Sequence, residues 1–329
     1  MTAWDNIPAP DPEFQALVRS RYAGQPGAMT ALGARLLVGQ DAPRSPADGA
    51  ALIEEAARQG DAAAWRHLAV LAATGIGRKQ SWAEGFDALV RAADGGDPSA
   101  ARQLSLLGEL GIRDATAVAN WTTAVAMPCP RILLDEPRMT VYPGFLAHEL
   151  CAYLIGCAAS RLKPALVHDA RQGGLRRDSM RTNTGAAFSL IETDFVIQMI
   201  RTRIATAAGV ALAALEPPEV LHYAPGERYN LHFDFFHPQL PHYAEEMQAR
   251  GQRIRTCLVY LNAGYDGGET EFPKLNVRFR GGVGDALIFD NVTADGSGDV
   301  RTVHAGLPPA NGEKCLLSQW IRDKPQPVA

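Results

Sequence analysis

The sequence has no long apolar run and no block of like charge. Its hydrophobic stretches are short and interrupted, and the opening MTAWDNIPAPDPEF lacks a basic segment followed by an apolar one. Neither a membrane span nor a signal peptide is therefore expected, and the expected location is cytoplasmic. Lys and Arg number 32 against 36 Asp and Glu, a net charge of -4. With no basic tail, no nucleic-acid footprint is expected. Cysteine is scarce: Cys129, Cys151, Cys157, Cys257 and Cys315 are odd in number and carry no CxxC spacing, which fits a reducing compartment and small core residues rather than ligands. What the chain has is apolar content, 47% of 329 residues, enough for sizeable cores and for two domains.

The first third repeats itself with a period of 36 residues. Gly24, Gly60 and Gly96 recur, as do Ala28, Ala64 and Ala100; Leu32, Leu68 and Leu104; and Gly39, Gly75 and Gly111. The last two copies also share AlaAla-x-x-Gly-Asp, Ala56 to Asp61 and Ala92 to Asp97. Each unit reads as two short Ala- and Leu-rich helices separated by glycine punctuation. Such a pair cannot bury its apolar face alone, so neighbours must stack into an α-solenoid. The pattern resembles Sel1-like repeats, relatives of the tetratricopeptide repeats. It leaves two roles open, substrate recruitment or support of the following domain.

Between residues 116 and 144 the texture changes to MPCPRILLDEPRMTVYPGF, whose four prolines break any helix. We expect a joint there, after a repeat region over 1–115 and before a second domain over 145–329. Helices are expected from about Phe145 and over about Glu192 to Ala208, with a stripe of Ile191, Phe195, Met199 and Ile200. From Glu219 onward short runs rich in β-branched and aromatic residues alternate with Gly, Pro, Asn and Asp, the spacing of a sandwich or barrel. The fold class expected is α+β: an α-solenoid of helix pairs, then a double-stranded β-helix, or jelly roll, with flanking helices.

Within YNLHFDFF, His232 and Asp234 stand two apart, so on a strand both side chains leave one face and can grip one ion. A second imidazole would complete the facial triad that binds Fe(II) and leaves positions open for reaction. His304 in RTVHAG is the candidate, and Lys314, ten residues on in the next expected strand, could sit beside it in a hairpin. An HxD alone arises readily by chance; the set of four is coherent.

The stretches PGFLAHELCAYLI, HYAPGERYNLHFD, RTCLVYLN, GGETEFP, GDALIFDN, HAGLPPANGEK and SQWIR resemble the prolyl 4-hydroxylase family of 2-oxoglutarate oxygenases over about residues 140 to 325. The resemblance implies that His232, Asp234 and His304 bind iron, that Lys314 pairs with the distal carboxylate of 2-oxoglutarate, and that Tyr223 and Tyr260 line or hydrogen-bond that cosubstrate. It also implies use of O2, oxidative decarboxylation to succinate and CO2, and hydroxylation of a prolyl or other residue of a peptide or protein. Ascorbate is a further candidate cofactor on which the sequence is silent. For Lys314 there is a physical argument too: a dianion inside a barrel needs a buried cation, and an unpaired buried lysine would be costly. Exposure at the strand start is the alternative.

Other residues carry weaker signals. His237 and His242 are expected on a loop lip in surface or substrate-facing roles, His148 and His168 in the helical section in structural roles, and His67 in the repeats in a packing or surface role. Gly267, Gly268, Glu269 and Thr270 match a family turn whose role is geometric. Arg181 resembles a family position near the active site, with Asn183 where many relatives carry serine; Trp320 is expected in the core or near the cosubstrate pocket. Two competing functions remain, a non-catalytic scaffold with an oxygenase-like barrel and a zinc hydrolase. The intact triad with Lys314 argues against the first, and Lys314 has no place in the second.

Overall fold

The structure is a computed structural model describing residues 12–168, 175–176 and 178–326. It divides into two compact units: residues to Ala126 together with Phe188–Arg203, and Met127–Ala187 together with Ile204 onward.

In the first unit the helices are α1 (Pro12–Tyr22), α2 (Pro26–Val38), α3 (Pro46–Arg58), α4 (Ala62–Thr74), α5 (Trp82–Asp94), α6 (Pro98–Glu109) and α7 (Ala115–Trp121). The helices α2, α4 and α6 begin at 26, 62 and 98, so the sequence period becomes a structural one. Both glycine columns are left-handed: φ is 75°, 94° and 90° at Gly24, Gly60 and Gly96, and 76°, 77° and 74° at Gly39, Gly75 and Gly111. Each lies where a helix must stop, a conformation any Cβ would strain.

The aspartates of the repeat have two tasks. Asp61 and Asp97 cap α4 and α6 through the Ala63 and Ala100 amides, at 3.1 and 2.8 Å. Each also reaches into the preceding copy, Asp61 accepting from Thr30 and Asp97 from Arg66, residues again 36 apart. A cap that terminates one helix thus ties two repeats together. Further closeness comes from Gly33 and Gly49, where an added Cβ would stand 2.7 and 2.6 Å from the other's carbonyl oxygen. Leu32 and Leu68 are buried between the helices.

The same unit takes in the start of helix α9. Phe195 packs edge-on against Trp82 and Phe86, and the buried Gln103 accepts hydrogen bonds from the Phe195 and Val196 amides. That amide oxygen satisfies donors a helix N-terminus leaves over. Sequence periodicity suggested this helix but not its place among the repeats.

The second unit holds helices α8 (His148–Ala159), the end of α9 (Phe195–Ala208) and α10 (Pro241–Arg250). Its strands begin with β1 (Arg131–Leu134), β2 (Met139–Tyr142), β3 (Lys163–Pro164), β4 (Val167–His168), β5 (Leu175–Arg176) and β6 (Thr184–Ala187). Next come β7 (Glu219–Tyr223), β8 (Tyr229–His232), β9 (Arg253–Tyr260), β10 (Asp266–Gly267), β11 (Thr270–Phe272) and β12 (Val277–Phe279). The last are β13 (Ala286–Asp290), β14 (His304–Gly306), β15 (Pro309–Asn311) and β16 (Lys314–Arg322). Among the described residues the major sheet runs β1-β2-β13-β9-β16-β7-β6-β3 and the minor sheet β12-β11-β14-β8.

The core between these sheets comes from period-two positions: Met139 and Val141, Leu221 and Tyr223, Leu258 and Tyr260, Leu287 and Phe289, with Leu316, meet Phe272 and Phe279 of the minor sheet. This is the jelly-roll core the strand spacing predicts. The stretch expected as a joint over 116–144 contains the division between the two units, after Ala126, but it is not irregular chain: it contains most of α7 and supplies β1 and β2 to the major sheet. Its prolines bound two four-residue strands, short enough to fit between them. His242 likewise lies in α10 rather than on a loop; its side chain is outside the described residues, as is that of His168, which falls in β4 and not in a helix.

Candidate active site

Strands β14 and β8 pair antiparallel with His304 opposite His232, which brings the two imidazoles together, ring centroids 4.3 Å apart. Strand β8 ends at His232, and Asp234 lies in the bend beyond, not on the strand as the two-residue spacing suggested. It still converges. His232 Nε2 is 3.6 Å from Asp234 Oδ1, and His304 Nε2 is 3.7 Å from Asp234 Oδ2. One donor atom from each of the three residues lies within 4.8 Å of the others, a grouping able to hold a metal ion.

The ring orientation is fixed from behind. His232 Nδ1 stands 2.8 Å from the Asn230 carbonyl and His304 Nδ1 3.0 Å from that of Thr302. A carbonyl only accepts, so each Nδ1 carries the hydrogen and each Nε2 offers its lone pair to the centre. Burial, then the second imidazole, push His232 down to about 3, leaving it an uncharged ligand. Burial alone would raise Asp234, but His304, His232 and the Thr256 hydroxyl outweigh it and hold the carboxyl below its ordinary range.

On β8 four residues, Tyr229 to His232, span what β14 spans in three, His304 to Gly306. The extra residue is a bulge. It lets Tyr229 and His232, which a regular strand would send to opposite faces, point the same way. Arg181 continues the column: its guanidinium lies 4.8 Å from the Tyr229 ring, bonded to Asn183 Oδ1, the Leu166 carbonyl and Glu219 at 3.2, 3.4 and 3.2 Å. Arg181, Tyr223, Thr270, Leu316 and Trp320 line the triad's cavity. Trp320 also carries the Arg253 guanidinium at 3.7 Å.

Lys314 is buried, as a cation for a dianion would have to be. It does not form a hairpin with His304. Residues 309–311 pair instead with 266–267, and the chain crosses to the major sheet, where Lys314 lies opposite Tyr223. Its Nζ donates to the Gly268 carbonyl at 2.6 Å, and burial lowers the amine to about 7 against an opposing pull from Glu269. Gly267 and Gly268, at φ 70° and 71°, shape the turn that presents this carbonyl. Tyr223 is buried with its hydroxyl beside Gly306. The Tyr260 hydroxyl, by contrast, lies 2.8 Å from Thr270 Oγ1 and donates to the Phe279 carbonyl at 3.1 Å, so its polar atom serves the minor sheet.

Three further histidines lie outside this cluster. His237 packs on Phe233 and Phe235, His148 is exposed at the start of α8, and His67 is desolvated among the repeats, pushed down to about 4. Residues the sequence did not single out are Tyr229, Thr256 and Asn291. Thr256 was findable: it shares the inward phase of Leu258 and Tyr260, and a hydroxyl on that face needs a partner.

Residues 218–322 match the model of the 2OG-Fe(II) oxygenase superfamily. Prolyl 4-hydroxylase 1 of Arabidopsis thaliana is 31% identical over 209 residues, which cover 59% of this chain and 72% of that protein. The chain belongs to the prolyl 4-hydroxylase family of 2-oxoglutarate- and Fe(II)-dependent oxygenases. A second member of this family, prolyl 4-hydroxylase 5 of the same plant, is 32% identical, over 56% of this chain and 68% of its own. A viral collagen prolyl hydroxylase of Paramecium Bursaria Chlorella virus-1, solved with 2-oxoglutarate, is 28% identical, over 56% and 95% of the two chains, with a TM-score of 0.43. For the helical region, a Sel1 repeat protein from Oxalobacter formigenes is 28% identical over 34% of this chain and 48% of that one, with a TM-score of 0.30. As a family member the chain is a 2-oxoglutarate-dependent dioxygenase using Fe(II), and a His-Asp-His donor set suits that metal.

Proposed function

We propose that this oxygenase hydroxylates a prolyl residue within a peptide or protein, with His232, Asp234 and His304 holding Fe(II) and Lys314 pairing with the distal carboxylate of 2-oxoglutarate. The observation that carries the reading is the convergence of the three donor atoms within 4.8 Å, with both Nδ1 atoms tied to backbone carbonyls. Iron and 2-oxoglutarate supply the oxidising chemistry, with succinate and CO2 as co-products; the protein orients and encloses.

The roles of this chain's residues follow from their surroundings. Lys314 offers a cation where water cannot compete, and Tyr223 lies opposite it on the neighbouring strand. The fixed Arg181 guanidinium at the cavity wall presents donors to a substrate's backbone carbonyl. The prolyl substrate is taken from the relatives' names, prolyl 4-hydroxylase 1 and 5.

The test is succinate formation by the purified full chain with Fe(II), O2 and 2-oxoglutarate, without and with proline-rich peptides. Expected are a protein-dependent basal rate, a rise on adding peptide, and hydroxyproline in the product. A basal rate that no prolyl peptide raises, while another peptide does, would replace proline as the target. No succinate together with no 2-oxoglutarate binding would favour the scaffold.

A further inference from the structure

Asp234 does not stand alone behind the metal face. Its Oδ2 accepts from Thr256 Oγ1 at 2.6 Å, and Thr256 Oγ1 in turn accepts from Asn291 Nδ2 at 3.0 Å. All three residues are buried. The direction of this chain is forced. An ionised carboxylate has no hydrogen to give, so the hydroxyl must spend its single proton on Asp234. The hydroxyl can then only receive from Asn291, whose amide must present NH2 and not C=O.

That orientation has a visible cost. Among the described residues Asn291 Oδ1 is left buried with no hydrogen-bond partner, an arrangement native interiors rarely keep. The backbone holds Asn291 there: its N–H donates to the Ile254 carbonyl at 2.8 Å and its C=O accepts from Asp299 at 2.9 Å. Asp299 caps the short turn Val300–Thr302, and the Thr302 carbonyl is the one that fixes His304. Two of the three donor groups are therefore governed from one segment, 291–302.

We infer that Thr256 and Asn291 are positioning residues that fix the Asp234 carboxylate by its Oδ2 edge, leaving Oδ1, which stands 3.6 Å from His232 Nε2, to face a metal ion. A carboxylate free to turn could close on the metal with both oxygens and occupy one of the positions 2-oxoglutarate and O2 require. The hydroxyl on Oδ2 opposes that turn. This inference rests on the proposed role of the triad, and its test separates the two.

The measurement is anaerobic Fe(II) titration of the full chain in the presence of 2-oxoglutarate, followed by the visible charge-transfer absorbance of the complex, with Mn(II) binding by calorimetry as an oxygen-stable second probe. Native protein that binds neither ion at the site, with Asp234→Ala indistinguishable from it, would defeat the triad reading itself. Given native binding, Thr256→Val, which keeps shape and removes the hydroxyl, should weaken the metal about tenfold to a hundredfold. Thr256→Ser should restore binding to within about threefold of native. Asn291→Leu should fall between native and Thr256→Val, because the hydroxyl stays but loses its direction. The charge-transfer band should shift in Thr256→Val and not in Thr256→Ser, a response general loosening would not give. Equal affinity and an unmoved band in folded Thr256→Val would overturn the inference, as would equal loss in Thr256→Ser. If Thr256→Val fails to fold, the serine and leucine variants decide it: native-like binding in Asn291→Leu would overturn it.

Discussion

Tyr229 and His232 lie with their rings parallel, 3.5 Å between centroids and 11° between planes, although they stand three apart on one strand. The bulge in β8 makes this possible, and the Arg181 guanidinium lies over the Tyr229 ring at 4.8 Å. His232 is thus held by a carbonyl at Nδ1 and by an aromatic plane against its flat side. Tyr229→Phe keeps the plane and should leave metal affinity within about threefold of native. Tyr229→Ala removes it and should cost about 2 kcal/mol of stability, below the range for a fully enclosed aromatic because Tyr229 is half-buried. Denaturant melts with Mn(II) calorimetry check both.

Removing a donor should act differently from loosening one. His304→Ala and Asp234→Ala should each lower succinate formation by more than about a hundredfold, beyond what changes behind the ligands produce. A chelator should abolish the native rate, and added Fe(II) should restore it. A rate that survives in Asp234→Ala would contradict the donor set.

For Lys314 the sign of the pH effect follows from its lowered value of about 7. Below that the free enzyme already holds the cation that a dianion needs. Above it the amine is neutral, and binding 2-oxoglutarate must take up a proton. Affinity should therefore fall as pH rises above about 7, approaching tenfold per unit. Calorimetry in buffers of differing ionisation enthalpy should report the proton taken up, and Lys314→Met should bind weakly without that pH slope. Stability runs the other way: the unfolded lysine binds its proton up to its ordinary 10.5, so the folded protein without cosubstrate gains stability as pH rises from about 7 toward that value.

Two glycines three residues apart should respond with opposite signs. Gly108 lies within α6, and an added Cβ there meets nothing within 4 Å, so Gly108→Ala should stabilise by roughly 0.5–1 kcal/mol. Gly111, at φ 74°, should lose about 1 kcal/mol on the same change. Thermal melts of the two variants side by side make the comparison.

The sequence read well where one residue type serves one local geometry. Left-handed glycines at a fixed period mark helix ends, and His232, Asp234, His304 and the burial of Lys314 were legible because few other arrangements use that set. It read poorly where the outcome depends on pairing across the chain. The bulge that turns Tyr229 inward depends on a count of residues in β14 some seventy positions away. Strands β1 and β2 are too short to show a period, and a proline-broken stretch looks like a linker until the major sheet supplies partners. The partners of the Tyr260 hydroxyl were not legible for the same reason, since Thr270 and Phe279 reach it only once the minor sheet has paired. Asn291 gave no signal, because nothing local distinguishes an asparagine at a strand end from one that orders a hydroxyl.

Gln103 accepts two amide hydrogens from a segment that follows it by about ninety residues. The unit containing it is thus finished by Phe188–Arg203, after β1, β2 and α8 have already been synthesised. On a ribosome adding about 5–20 residues per second, the repeats emerge roughly 4 to 15 s before the piece that completes them. During that interval the faces of Trp82, Phe86 and Gln103 await the segment that covers them, so this unit is completed only by chain made well after it.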